Sequence, residues 1–163
     1  MRVRGCPEYL VSDHGNVMSL CRRGLILSKC CNTGGYFKVN LRSEGRYIGH
    51  VIHRLVAEHF VPNPDNKPFV DHINGNITDN RACNLRWATP AENNWNLKVS
   101  GKGASRFKGV FWHKQCNKWY AQISCNGKRQ HIGMYATEEE AALAYNEKAT
   151  ELYGEYACLN EVS

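Results

Sequence analysis

Asp71 and His72 stand side by side in the chain, and Asn93 follows in what reads as the first turn of a helix. An acid next to a histidine is weak chemistry by itself, because such pairs commonly cap turns. If the intervening segment doubles back, the Asp71 carboxylate and the Asn93 amide oxygen become two hard donors. They would leave positions for water and phosphate on a divalent ion such as Mg2+ or Mn2+. His72, outside the metal shell, would then be placed to take a proton from an attacking water. The ion would polarise a scissile phosphate and stabilise the departing 3′ oxygen. Phosphodiester hydrolysis needs those parts. The helix also offers Asn94 and Asn96; spacing from its cap favours Asn93.

The elements that must position these residues follow from local pattern. Pro68 to His72 reads as a short strand, residues 74–80 as a turn-rich polar loop, and Leu85 to Ala88 as a second strand. Thr89-Pro90-Ala91-Glu92 then combines an N-cap threonine, a proline at the first helical position and a capping-box glutamate. Upstream, Ile52, Leu55, Val56, His59 and Phe60 recur at helical spacing, and Pro62 and Pro64 end that helix. Residues 1–50 read as short strands with turns, Phe37, Val39 and Leu41 sharing one face.

Beyond residue 98 the composition changes. Residues 99–104 are small, polar and basic, as in a flexible linker. Three strands are predicted over 107–113, 118–125 and 129–135, the last two joined at Asn126-Gly127 by a two-residue hairpin turn. Thr137 to Glu140 repeats the capping box, and Ala141, Tyr145, Ala149 and Leu152 form one helical face. On the middle strand Trp119, Ala121, Ile123 and Cys125 suit packing against that helix. Lys118, Tyr120, Gln122 and Ser124, with Arg129 and His131 on the next strand, give an opposite face that is basic and hydrogen-bonding. Such a face can lie in a DNA major groove; an ordinary solvated sheet is the alternative on the residues alone.

Charge and cysteine usage bound the answer. The formal net charge is +6, unevenly spread: residues 98–137 hold eight basic residues and no acidic ones. Residues 55–97 hold five acids against Lys67, Arg81 and Arg86. Basic flanks around a slightly acidic centre suit a polyanion gripped on either side of a metal site. None of the eight cysteines forms a CxxC pair, so reduced, mostly structural thiols are expected rather than a zinc site. The chain contains neither a membrane-length apolar run nor a signal-like N-terminus, so an intracellular, soluble protein is expected.

The sequence resembles known families in three places. Val70-Asp71-His72-Ile73-Asn74-Gly75-Asn76, Asn84-Leu85-Arg86-Trp87 and Glu92-Asn93-Asn94 resemble the HNH nuclease core of phage and intron-encoded homing endonucleases. The stretch from His53 to Phe60 is similar to the segment before that core, and residues 9–17 resemble the short NUMOD4-like motif often found ahead of it. The resemblance implies His72 as general base and Asp71 and Asn93 as metal ligands. Asn84 would brace the loop and support His72 without touching metal. His14 is expected in a solvated turn, His59 packed in a helix, and His53 hydrogen-bonded across to the core in a structural role. Neither these nor His50 is expected in the active site.

Residues 105–160 resemble an AP2/ERF domain, on Ser105 to Val110, Lys118 to Ile123, Asn126 to Arg129, Ile132 to Tyr135 and Glu139 to Asn146. This implies a sheet bound in the DNA major groove, with Lys108, Phe111, His113, Gln122, Ser124, Arg129 and His131 at DNA-facing positions; Lys118 joins them from the strand pattern. Phe111, His113, Ser124 and His131 depart from the plant factors, so their target sequence does not carry over. The expected fold is α+β: a small ββα-metal (His-Me finger) core over residues 51–98. A β-rich DNA-contacting segment precedes it at 1–50, and a three-stranded antiparallel sheet packed on one helix follows at 105–163. The expectation is a metal-dependent, site-specific endonuclease from a mobile genetic element. It would act as a monomer on double-stranded DNA in the nucleus or another DNA-containing compartment. The alternative is a non-catalytic DNA-binding regulator.

Overall fold

The computed structural model describes residues 1–98, 104–125 and 127–162. The chain divides into two compact units, Met1–Pro90 and Ala91–Ser163.

The first unit begins with an antiparallel sheet of β1 (Arg2–Val3), β2 (Cys6–Val11), β3 (Val17–Ser19) and β4 (Leu25–Ile26). A second sheet holds β5 (Cys30–Cys31), β6 (Phe37–Ser43) and β7 (Arg46–Val51). Strand alternation sends Val39 and Leu41 inward as expected, with Phe37 partly buried beside them. β7 runs directly into α1 (Ile52–Phe60), whose Ile52, Leu55 and Val56 are buried. The helix ends where the Val61 N–H turns back to the Ala57 carbonyl, just before Pro62.

One core joins these pieces: Val3, Tyr9, Val11 and Val17 from the first sheet, Val39 and Leu41 from the second, α1, and Leu85 beyond it. Each fully buried aliphatic side chain of this kind contributes roughly 1.5–3 kcal/mol. The core is thus continuous across residue 50, where the sequence suggests a boundary. Against α1 sits a two-stranded ribbon, β8 (Phe69–His72) and β9 (Leu85–Ala88), preceded by a 3-10 turn at Ala82–Asn84. Its register pairs Asp71 with Arg86 and His72 with Leu85.

The second unit takes in α2 (Pro90–Trp95) from Ala91 onward, then β10 (Val110–His113), β11 (Lys118–Cys125), β12 (Lys128–Tyr135) and α3 (Glu138–Tyr153). The sheet is antiparallel in the order β10-β11-β12. Thr137 and Glu140 form the expected capping box on α3. Ala121 and Ile123 pack on Ala141, Ala142, Tyr145 and Ala149. β10 starts at Val110, later than expected, because Gly109 adopts φ +74° and Tyr145 fills the space a Cβ would need there. Cys125 faces Lys128 across the hairpin end and Gly127 has φ +75°; Asn126 of the expected turn lies outside the described residues, as do residues 99–103 of the expected linker.

The cysteines correct an expectation. All eight are free thiols, but only Cys6 is buried in a core, while Cys21, Cys30, Cys31, Cys83 and Cys116 are exposed. They are surface groups on turns and short strands rather than structural fillers. Among the described residues no helix is long and apolar enough to cross a membrane.

Candidate functional site

His72 closes β8, and its support comes from the loop that follows. Its Nε2 lies 3.2 Å from Asn80 Oδ1. The Asn80 amide is oriented by its own Nδ2 donating to the Thr78 carbonyl at 3.2 Å. With Oδ1 facing the ring, this contact favours the tautomer protonated at Nε2. Burial lowers the His72 pKa, outweighing the Asn80 hydrogen bond and the charges of Asp71 and Asp79, which raise it. A neutral ring at physiological pH is the form a general base requires.

Asn80 is itself fixed from the N-terminal sheet. The β2–β3 turn places Gly15, at φ +74°, so that a Cβ would lie 3.0 Å from Ile52 Cγ2 and 3.1 Å from Asn80 Cβ. The Ala82 N–H donates to the Asp13 carbonyl at 2.7 Å. The β2–β3 turn therefore buttresses the loop that holds the histidine.

Asn84 ties the same loop from its other end. Its Oδ1 accepts from the Asn74 N–H at 3.1 Å and its Nδ2 donates to the Asp79 carbonyl at 2.8 Å. The Ile73 N–H donates to the Asn84 carbonyl at 2.9 Å. Asp79 is held well below the usual carboxylate range, at about 2, by hydrogen bonds from Arg81. The polar stretch is thus a closed web rather than a slack loop.

Asp71, 6% exposed, faces Arg86 across the ribbon, and Arg86 Nε and Nη2 both reach its Oδ2 at 2.8 Å. This buried ion pair was not anticipated, although the register of two short strands places the pair opposite. Among the described residues there is no group of three or more His, Cys, Asp and Glu side chains that could hold a metal ion; at this site the Asp71 carboxylate is a hard oxygen donor of the kind Mg2+ and Mn2+ accept.

The structure brings Asp71, His72 and Asn84 together in the first unit. Asn93 lies on α2, counted with the second unit. Of its neighbours, Asn94 lines a groove within that unit beside Ala91 and Trp95, and Asn96 is buried beyond the end of the helix.

The other histidines fall mostly as expected. His14 sits exposed in its turn on Asp13, and His59 links the Leu55 carbonyl to the Arg4 N–H. His53 differs: it meets His72 ring to ring, and its Nδ1 is buried without a hydrogen-bond partner among the described residues. Its proximity to the site had no signal beyond the motif around it.

On the second unit the expected sheet face forms. His131 opposes Gln122, Arg129 opposes Ser124 and His113 opposes Lys118, with a bulge at Ile132 keeping the alternation in phase. Phe111, Tyr120 and His131 stack in a row across the three strands, at 5.4 and 6.1 Å between ring centroids. Lys108 departs from expectation. Its ammonium donates to the carbonyls of Trp95 at 2.5 Å and Leu97 at 2.8 Å, so it is engaged by backbone rather than presented on the sheet face.

Comparison with known proteins bears on this arrangement. A family model described as HNH endonuclease matches residues 50–95. The "Uncharacterized HNH endonuclease L247" of Acanthamoeba polyphaga mimivirus is 47% identical over 94 residues, covering 56% of this chain and 23% of that protein. "Protein 3.8" of Escherichia phage T7 is 34% identical over 89 residues, covering 55% of this chain and 73% of that protein. An AP2-like ethylene-responsive transcription factor of Arabidopsis thaliana is 40% identical over 67 residues, 39% of this chain and 19% of that protein. The solved structure of "DNA binding and cleavage by the HNH homing endonuclease I-HmuI" superposes with a TM-score of 0.55 and 26% identity, covering 99% of this chain and 92% of that one. Residues 50–95 of the chain are an HNH endonuclease domain. It spans under a quarter of the mimivirus protein's length.

Proposed function

We propose that this chain is a metal-dependent, site-specific DNA endonuclease of the HNH homing type, acting on double-stranded DNA. His72 Nδ1 takes the proton of the attacking water. Asn80 and Asn84 keep that ring and its loop in place. Asp71 and Asn93 hold a divalent ion, Mg2+ or Mn2+, which when bound supplies Lewis-acid polarisation of the scissile phosphate. The second unit is an AP2/ERF-like binding module, and its face of His113, Lys118, Gln122, Arg129 and His131 meets DNA phosphates and base edges. The partial likeness to AP2-like factors and the unmixed basic charge of residues 98–137 support that part.

The observation that carries the reading is His72 itself: buried, neutral, oriented through Asn80, and adjacent to a buried carboxylate. The test is nicking of supercoiled plasmid DNA with Mg2+ or Mn2+, beside His72→Ala. Cleavage that needs the ion and disappears in the variant is expected. Tight DNA binding with no cleavage under any divalent ion would sink the nuclease reading and leave a DNA-binding regulator.

A further inference from the structure

The short helix α2 buries none of its own residues, and six residues are too few to hold a helix by backbone hydrogen bonds alone. Its stability must come from what it is fastened to. Two contacts within the second unit supply this. The Trp95 indole lies flat on the Tyr153 ring, centroids 4.5 Å apart and planes 11° from parallel. The Lys108 ammonium takes the carbonyls of Trp95 and Leu97, a cation against the negative end of the helix.

Both partners are fixed in turn. The Tyr153 hydroxyl donates to the Ser124 carbonyl, so the α3 ring under Trp95 is tied to β11. The backbone of Lys108 is gripped on both sides by one residue: Lys108 N–H donates to Asn160 Oδ1 at 2.6 Å, and Asn160 Nδ2 donates to the Lys108 carbonyl at 3.1 Å. Asn160 is held by Asn146 of α3 through two further hydrogen bonds of 2.7 and 2.9 Å. The Lys108 side chain is partly desolvated, which lowers its pKa. A lysine gives up hydration in this way only for specific acceptors.

We propose that Trp95 and Lys108 are positioning residues for the proposed metal ligand Asn93: they fasten the helix that carries it to the second unit, so that unit governs how the ligand is presented. This rests on the reading of Asn93 as a ligand. Neither residue touches the ion or the DNA in this scheme, and their effect passes through the orientation of α2.

The experiment uses the full chain and Mn2+ as the probe. Trp95→Leu, Lys108→Met, Lys108→Arg and Asn93→Ala are compared with the parent in Mn2+ titrations followed by calorimetry, in duplex binding and in plasmid nicking. Trp95→Leu and Lys108→Met are expected to weaken Mn2+ binding about tenfold or more, as loss of a ligand's supporting contact does. Duplex affinity should stay within about twofold, because the sheet face is untouched. Nicking should fall and recover at raised Mn2+, and Lys108→Arg should restore most of both. Parent-like Mn2+ affinity in both Trp95→Leu and Lys108→Met, with Asn93→Ala impaired, overturns the proposal alone. Parent-like Mn2+ affinity in Asn93→Ala overturns the ligand assignment beneath it. If Lys108→Met fails to fold, Trp95→Leu, altered at a half-buried ring, decides the matter.

Discussion

His53 meets His72 edge to face, ring centroids 5.0 Å apart and planes at 79°, with Tyr36 closing the group edge-on to His53 at 5.0 Å. T-shaped contacts of this kind stabilise neutral rings. Two imidazolium ions could not share the space, because like charges at that range repel and neither would be solvated. The pair therefore cannot carry two charges, and His53 is kept neutral by its burial and by His72.

That charge state predicts acid sensitivity. Burial, then the positive charges of His72 and Arg54, lowers the His53 pKa to about 4, and burial lowers His72 as well. In the unfolded chain both rings titrate near about 6.5. From about 6.5 down to about 4 the unfolded state binds more protons than the folded one, so stability falls with falling pH. Thermal melts between pH 7 and 4.5 should show this decline. His53→Phe, which keeps an aromatic contact and removes the unpartnered nitrogen, should flatten it. A variant as acid-sensitive as the parent would count against His53 as the source.

The Asp71–Arg86 pair gives a second expectation. Removing one partner of a buried ion pair leaves an uncompensated charge and typically costs about 3–5 kcal/mol. Arg86→Met should therefore lower stability strongly without metal. A divalent ion held by Asp71, as proposed, would supply the missing positive charge. Adding Mn2+ should then raise the melting temperature of Arg86→Met more than that of the parent. Equal Mn2+ responses in the two proteins would place the ion away from Asp71.

Local signals made much of this legible in the sequence. The α1 periodicity, the Thr137–Glu140 capping box, the alternation of Val39 and Leu41 and that of β11 each follow from short-range spacing. Asp71, His72 and Asn84 could be picked out for the same reason, as members of an ordered motif. What escaped was long-range. No spacing rule links Gly15 to Asn80, or Lys108 to the end of α2, because those contacts are set by how separate elements pack. Lys108 was placed on the sheet face by family position, whereas its proximity to two unpaired helix-end carbonyls decides where its ammonium goes. The exposed cysteines misled through average behaviour: free cysteine is usually buried, yet short edge strands such as β5 offer no interior to receive them.

Gly15 tests the long-range support of His72. Alanine there would be strained twice, by the positive φ and by approach to within about 3 Å of Ile52 and Asn80. Gly15→Ala should cost roughly 1–3 kcal/mol, the usual range for a sparsely populated backbone region. It should also slow nicking at temperatures where the protein stays folded, by shifting Asn80. Unchanged nicking with reduced stability would separate the turn from the site.

Asn84→Ala removes a donor and an acceptor that close residues 74–79 into a web. Leaving the Asn74 N–H and Asp79 carbonyl without these partners should cost about 1–3 kcal/mol. The loop should become more open to limited proteolysis while the DNA binding proposed for the second unit persists. Proteolysis at the parental rate would show that Asn84 does not hold the loop.

Lys118, Arg129 and Lys108 are all basic, and the structure gives them different tasks. The first two are exposed on the strands of the proposed DNA face, where each phosphate contact releases counterions. Lys118→Ala and Arg129→Ala should each weaken duplex binding and reduce the slope of log affinity against log salt by about 1. Lys108→Met removes just as much charge, but from an ammonium bonded to the Trp95 and Leu97 carbonyls. It should leave the salt slope at the parental value while lowering Mn2+ affinity. If all three variants shift the slope alike, Lys108 contacts phosphate after all and its role at the end of α2 is incidental. Electrophoretic or fluorescence titrations on one duplex at several salt concentrations separate these outcomes.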